Sequence, residues 1–440
     1  MLYYSQKKAC MSEILAVVPP VLRDPNVLRL KAQLMGAILP ELQKLPAREQ
    51  TRQTVRQWLG QALSRMNINL PPAVSSQIIE SALADLIGYG PLELLLADPE
   101  ISEIMVNGPK LVFVERQGVV VETDLQFEDE THLMRIIDRM LNPLGRRVDS
   151  DSPTADARLP DGSRVNVAIP PVAVDGPHVS IRKFLSTKMT VDDLIALEAL
   201  TPFMARFLQA CVVSRLNILI TGNTSSGKTT LLNILSSFIP NHERIITIED
   251  AVELNLKQRH VVRMETKLPN VDGSGAVTVR DLVRNALRMR PDRIVVGEVR
   301  GGESLDMLQS MNTGHSGSLT TLHANSPRDA IARIETMAMM AGLDMPLIAI
   351  RRQIASAINL IVHQTRLQDG SRKTTQITEV AGMEGDVVVL TDIFKFEQTG
   401  IGEDGKVLGQ LKPTGIRPLF TPKLEVAGFK LGGEIFGAGL

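Results

Sequence analysis

Asn217-Ile-Leu-Ile-Thr221, followed by Gly222-Asn223-Thr224-Ser225-Ser226-Gly227-Lys228-Thr229-Thr230, decides the fold. An apolar strand runs into a loop bounded by two glycines, and the residues from Lys228 to Phe238 read as a helix. The loop matches the pattern G-x-x-x-x-G-K-[ST] in full. Gly222 and Gly227 let backbone N–H groups turn inward around phosphate oxygens, and the following helix presents its positive N-terminal end to the same anion. Lys228 is expected to reach the β- and γ-phosphates of ATP, and the Thr229 hydroxyl to ligate Mg²⁺. The whole run from Gly222 to Thr230 is expected to hold the nucleotide.

Working outward, such a loop needs an acid at the end of another strand. Ile294-Val-Val-Gly297-Glu298 supplies one, with Glu298 expected to orient Mg²⁺ or its water shell. Ile245-Ile-Thr-Ile-Glu249-Asp250, with Glu253 just beyond, is a second strand that delivers acids at its C-terminal end. In a doubly wound sheet that edge is where ligands bind. Glu249 is the candidate for polarising an attacking water and a second candidate metal ligand. Gly314-His315-Ser316-Gly317 reads as a tight loop. The strand from Ser318 to Leu322 then delivers His323 to the same edge, where it can sense a γ-phosphate.

Strands and helices alternate from Val191 onward, which predicts a mostly parallel, doubly wound sheet with helices on both faces. The expected organisation is α/β: a helical extension over 1–80, an α+β domain over 81–183, a linker over 184–190, the parallel α/β domain over 191–372 and a β-rich tail over 373–440. In the first part, Val27–Ile38 and Val55–Met66 have helical periodicity, Pro71-Pro72 breaks it, and Ile79–Ile87 resumes it. Asp161-Gly162 predicts a hairpin between Ala157–Leu159 and Arg164–Ile169.

Composition narrows the function. Hydrophobic residues make up 44% of the 440 and aromatics 3%, so an aliphatic core suits α/β layers. The net charge of −1 shows no basic excess, so no nucleic-acid partner is expected. The two cysteines, Cys10 and Cys211, exclude a disulfide framework and a four-cysteine zinc site, and fit a reducing cytoplasm. No run approaches the roughly 18 apolar residues of a membrane span. Lys7 and Lys8 precede an apolar stretch from Ile14 to Leu22, but Glu13 and Pro19-Pro20 make it structural rather than a leader. Met1 and Met11 both remain possible starts.

These residues resemble the type II/IV secretion ATPases, and within them the branch that drives tight-adherence (Tad/Flp-type) pili. Four boxes match in order: Gly222–Thr229, Ile248 to Glu253, Val295 to Gly301, and Gly314–His323. The string from Leu282 to Arg293 is also similar, as are Gly88 to Leu92, Ile101 to Gly108, Asp156 to Asn166 and Ile181 to Phe184. The match spans about residues 80 to 395. The chain also lacks the four-cysteine zinc element of the general secretion branch.

The resemblance implies a RecA-like P-loop core joined by a linker to an N-terminal domain, with ATP and Mg²⁺ between them. It further implies a homohexameric ring, peripheral to the cytoplasmic face of the inner membrane, that works on integral inner-membrane platform proteins. Arg164 and Arg182 match the positions that supply positive charge to the transferred phosphoryl group. Arg280, Arg284 and Arg288 share one helix face and suit a structural role, and Arg300 suits a local pairing with Glu298. Three departures stand out: Ser225 where glycine is usual, Ser316 in place of an aspartate, and Ser304 where alanine is commoner. A DNA-directed RecA-like ATPase and a nucleotide-gated scaffold with little turnover are the alternatives.

Overall fold

A computed structural model describes residues 14–46, 49–116, 118–184, 189–267, 269, 273–402 and 405–437. The two possible starts, Cys10 and the middle of the expected linker lie outside the described residues. The chain forms two compact units, Met1–Leu185 and Ser186–Leu440.

The first unit begins with three helices, α1 (Pro25–Lys44), α2 (Arg52–Arg65) and α3 (Pro72–Ile87). Leu34, Val55, Leu59 and Ile78 meet in their shared core. α3 starts at Pro72, well before the Ile79 expected from periodicity. Proline at the first helical position loses no hydrogen bond and has its φ already set, so Pro72 opens this helix where the sequence suggested a break.

A short α4 (Leu92–Ala97) leads into β1 (Ile101–Asn107), β2 (Leu111–Arg116) and β3 (Val119–Glu122). Then come α5 (Glu130–Leu141), β4 (Thr154–Arg158), β5 (Arg164–Ala168) and β6 (His178–Arg182). The six strands pair antiparallel in the order β3-β2-β1-β6-β5-β4. Alternate residues such as Ile104, Val106, Val179 and Ile181 pack with Leu133, Ile136 and Ile137 of α5, as a period of two against a helix stripe requires. The Asp161-Gly162 turn forms as expected, with Gly162 at φ +92°. A buried ion cluster joins the helices to this layer. Lys31 Nζ stands 2.5 Å from Asp85 Oδ2, and His132 Nε2 lies 3.7 Å from the other Asp85 oxygen.

The second unit opens with α6 (Val191–Ala196) and α7 (Pro202–Val213), then β7 (Ile218–Gly222), α8 (Lys228–Ser236), β8 (Ile245–Glu249) and β9 (Val261–Glu265). It continues through α9 (Val279–Ala286), β10 (Arg293–Val296), α10 (Glu303–Asn312), β11 (Leu319–His323), α11 (Pro327–Met339) and α12 (Leu347–Ala357). It ends with β12 (Leu360–Arg366), β13 (Arg372–Glu384), β14 (Val387–Ile401), β15 (Val407–Pro413) and α13 (Thr421–Val426).

All nine strands form one sheet, ordered β15-β14-β13-β12-β7-β11-β10-β8-β9. Strands β12 through β9 in that order run parallel. β13 to β15 continue it antiparallel, so sheet pairing does not stop at 372. Helices cover both faces. Ile218 and Ile220 pack with α7 and α8 on one side. Leu219, Ile246 and Ile294 pack with α9 to α12 on the other. Burying each such side chain stabilises the unit by roughly 1.5–3 kcal/mol. Continuous apolar strands are therefore the mark of a sheet buried on both faces.

The edge of the sheet at the strand N-termini is pinned by polar side chains. Asn217 donates from Nδ2 to the Ala357 carbonyl, and its Oδ1 accepts from the N–H groups of Gly317 and Ser318. Fully buried Arg293 makes two hydrogen bonds to Glu243 and donates to the carbonyls of Val212 and Gly317. That leaves the opposite, C-terminal edge free for chemistry.

Candidate active site

β7, β8, β10 and β11 all end at that C-terminal edge because they run parallel, in register, through the same sheet. Each delivers a functional group there: the phosphate loop from β7, Glu249 from β8, Glu298 just past β10 and His323 from β11.

The loop closes tightly on itself. Gly227 has φ +95° and caps α8. A Cβ on Gly222 would lie 2.2 Å from the Gln364 carbonyl oxygen, so only glycine fits there. Ser225 has φ +58°, the left-handed region that glycine enters freely and serine enters at a cost. This explains physically why glycine suits that position, from which this chain departs. Ser226 is buried, whereas Asn223, Thr224 and Ser225 are exposed. Thr229 and Thr230 lie half-buried in the first turn of α8.

Lys228 Nζ donates to the Asn223 carbonyl at 2.9 Å and faces His323 Nδ1 at 3.3 Å. The ammonium has only protons to offer, so Nδ1 is the acceptor and the ring proton sits on Nε2. That nitrogen lies 3.1 Å from Glu298 Oε1. Burial, and next the Lys228 charge, hold the His323 pKa below its ordinary value. The other Glu298 oxygen meets Arg300, which also reaches Asp250 at 3.1 Å. The local pairing of Arg300 anticipated from sequence is present.

Glu249 is 3% exposed. Its Oε1 accepts from the amides of Glu253 and Leu254, and its Oε2 has no hydrogen-bond partner among the described residues. Burial raises its pKa to about 7, against the lowering effect of those two amides. A Cβ on Gly297 would come within 3.0 Å of the Glu249 Cγ, so the glycine before Glu298 makes room for this side chain.

Arg164 and Arg182 lie in the first unit, directly opposite one another across the β5–β6 pairing. Like charges directly opposite on a sheet repel. Arg182 stands 4.0 Å from Glu103. His315 lies at the far end of β11 from His323, so Ser316 beside it is remote from the phosphate loop. Arg280 and Arg284 both bind Asp306, a structural role, and Arg288 donates to the Arg284 carbonyl.

Sequence reasoning missed the floor of the loop. His363 Nδ1 hydrogen bonds with Thr221 Oγ1 at 2.8 Å, Gln364 backs both glycines, and Arg372 Nε donates to the Ser225 carbonyl at 2.9 Å. No motif marks these residues. Their only sequence signal is the apolar run Leu360–Val362, which reads as a buried strand with nothing to say which neighbour it joins.

The arrangement fits a nucleotide phosphate: a glycine cradle that a Cβ would fill, a buried lysine and a helix N-terminus. Among the described residues no group of three or more His, Cys, Asp or Glu could hold a metal ion by itself. Mg²⁺ held by one or two protein oxygens together with substrate phosphates suits such a site.

The family model described as type II/IV secretion system protein matches residues 85–390. A putative conjugal transfer protein of Mycobacterium tuberculosis is 37% identical over 313 residues, covering 70% of this chain and 88% of that protein. The type IV secretion system protein VirB11 of Brucella suis is 32% identical over 319 residues, covering 66% and 88%. The crystal structure of the Brucella suis VirB11 ATPase, in complex with sulphate, aligns at 30% identity with a TM-score of 0.37, covering 65% of this chain and 94% of that one.

Proposed function

The chain belongs to the type II/IV secretion system protein family, and from that premise we propose that it is an ATP-hydrolysing motor of a secretion or pilus machine. The observation that carries the reading is the convergence of Lys228, His323 and Glu298 beside the glycine cradle. In this reading residues 222–230 bind the nucleotide, and the detailed fold of the second unit is RecA-like. Thr229 and Glu298 would hold Mg²⁺, with Glu249 as a further carboxylate. Bound Mg²⁺ neutralises developing phosphate charge.

This chain's own residues do the rest. Lys228 supplies positive charge to the transferred group. His323, neutral and with its proton on Nε2, passes the loss of a γ-phosphate from Lys228 to Glu298. A buried carboxyl with a pKa near neutrality suits a general base, which supports Glu249 as the group that polarises water. Arg164 and Arg182 add charge from the first unit.

The motor is proposed to act as a homohexamer, peripheral to the cytoplasmic face of the inner membrane, on integral platform proteins. Among the described residues no helix is long and apolar enough to cross a membrane. The boxes quoted from the sequence favour the tight-adherence pilus branch. Relatives named for conjugal transfer favour a second reading, a DNA-directed ATPase.

The test is phosphate release with Mg-ATP by wild type, Lys228→Ala and Glu298→Gln, with particle mass from light scattering on the same samples. Slow release by a ring, lost in both variants, supports the motor. Nucleotide binding without release above the variants would leave only the nucleotide-gated scaffold. Stimulation by added DNA would select the second reading.

A further inference from the structure

We propose that Arg372 is a positioning residue for the phosphate loop, holding the Ser225–Ser226 peptide in the orientation that nucleotide binding requires. The inference rests on the nucleotide-binding reading of the loop and extends it to a residue outside every motif.

The loop turns at Ser225, whose φ of +58° is costly for any residue with a Cβ. Left alone, a serine there relaxes toward negative φ, and the peptide that follows it rotates. Something must hold it. The Arg372 guanidinium donates Nε–H to the Ser225 carbonyl at 2.9 Å. A trans peptide is planar, so its C=O and N–H point in opposite directions. Holding the Ser225 carbonyl toward Arg372 therefore aims the Ser226 N–H the other way. That N–H points to the Asn223 carbonyl at 3.3 Å, the same oxygen that receives Lys228 Nζ. The pinned peptide thus helps to fix the Asn223 carbonyl, the oxygen that parks the lysine.

Arg372 can do this because it is carried on a stiff element. It opens β13, paired with β12, which is in turn paired with β7 so that Gln364 lies opposite Gly222. The Gln364 carbonyl occupies the space a Cβ on Gly222 would need, and its side-chain Oε1 lies 3.2 Å from where a Cβ on Gly227 would sit. The β12–β13 pair is the floor on which the loop rests, and Arg372 is its one described side-chain clamp on the strained position.

The experiment is calorimetric titration of the full chain with Mg-ADP, for Arg372→Ala and Arg372→Lys in the wild-type and Ser225→Gly backgrounds, with thermal melting of each. Arg372→Ala is expected to weaken binding about 5- to 30-fold, the size of a single left-handed strain. Arg372→Lys, which keeps a cationic donor without the planar guanidinium, should fall between. In the Ser225→Gly background, where the left-handed turn is free, most of the Arg372→Ala loss should vanish. Equal loss in both backgrounds would overturn the proposal and make Arg372 a direct phosphate contact. So would undiminished binding by Arg372→Ala, or a loss that follows melting temperature alone. Should Arg372→Ala not fold, Arg372→Gln takes its place. If wild type binds no Mg-ADP, the nucleotide reading itself fails, an outcome distinct from wild-type binding without the coupling.

Discussion

His323 Nε2 stands 3.1 Å from Glu298 Oε1, so the end of β11 is tied to the acid that follows β10. The other ring nitrogen faces Lys228. One imidazole therefore spans the lysine of the phosphate loop and the proposed metal-orienting carboxylate. It can do so only while neutral, since a second proton would place cation against cation.

The first prediction concerns that ring. His323→Gln should lower kcat for phosphate release about 100-fold, with a smaller effect on nucleotide affinity. The pH profile adds a sign. The His323 pKa is lowered, so the ring is neutral at pH 7 and gains its proton only as pH falls below the ordinary histidine range. Wild-type activity should drop on that acid limb, and the limb should disappear in His323→Gln. An unchanged acid limb in the variant would assign the titration to another group.

Glu249 has the opposite linkage. Its folded pKa is raised to about 7, so between about pH 4.5 and 7 the folded protein binds more protons than the unfolded chain. Stability from this group is greatest below that window and is lost as pH rises through it, by roughly 3 kcal/mol. Glu249→Gln keeps an acceptor for the Glu253 and Leu254 amides and removes the buried charge. Urea unfolding at pH 5 and pH 8 should show the variant gaining on wild type at the higher pH. A constant difference across that range would contradict the buried-charge account.

Gly317 should tolerate no side chain. A Cβ there would lie 2.0 Å from Arg293 Nη1 and 3.0 Å from the Arg215 Cα, and the backbone has φ +86°. Since Arg293 is fully buried against Glu243, it has no room to yield. Gly317→Ala is expected to cost about 3 kcal/mol or more, from strain and overpacking together, read as a lower urea midpoint. A near-neutral result would mean the Arg293 network is softer than its burial indicates.

Ser304 points to a gain instead. It is fully buried in the first turn of α10, and its hydroxyl has no hydrogen-bond partner among the described residues. Such a group costs about 1–3 kcal/mol, and alanine also favours the helix. Ser304→Ala should raise stability by about 1 kcal/mol in thermal or urea unfolding. A loss would show that the hydroxyl has a partner, such as water, worth more than the helix gain.

Much of this molecule is local, and the local part was legible. The phosphate loop, the acids at the ends of β8 and β10, the Asp161-Gly162 turn and the continuous apolar strands each depend on residues a few positions apart. Periodicity, glycine conformation and motif spacing report such features directly. Pro72 was misread because proline breaks a helix inside it but opens one at its first turn, and a lone pattern does not say which applies.

By itself, then, the sequence determined the β7–loop–α8 unit, the family boxes and the buried character of the parallel strands, since all of these follow from short-range geometry. Only tertiary structure decided that β12 lies against β7 and β13 against β12, bringing Arg372 to Ser225 across 147 positions of chain. It alone decided that Glu249 is buried with one oxygen unpaired among the described residues, and that Asp306 gathers Arg280 and Arg284. The physical reason is the same in each case. Strand neighbours and local dielectric are set by what packs alongside, and a residue's own neighbours in sequence do not carry that information.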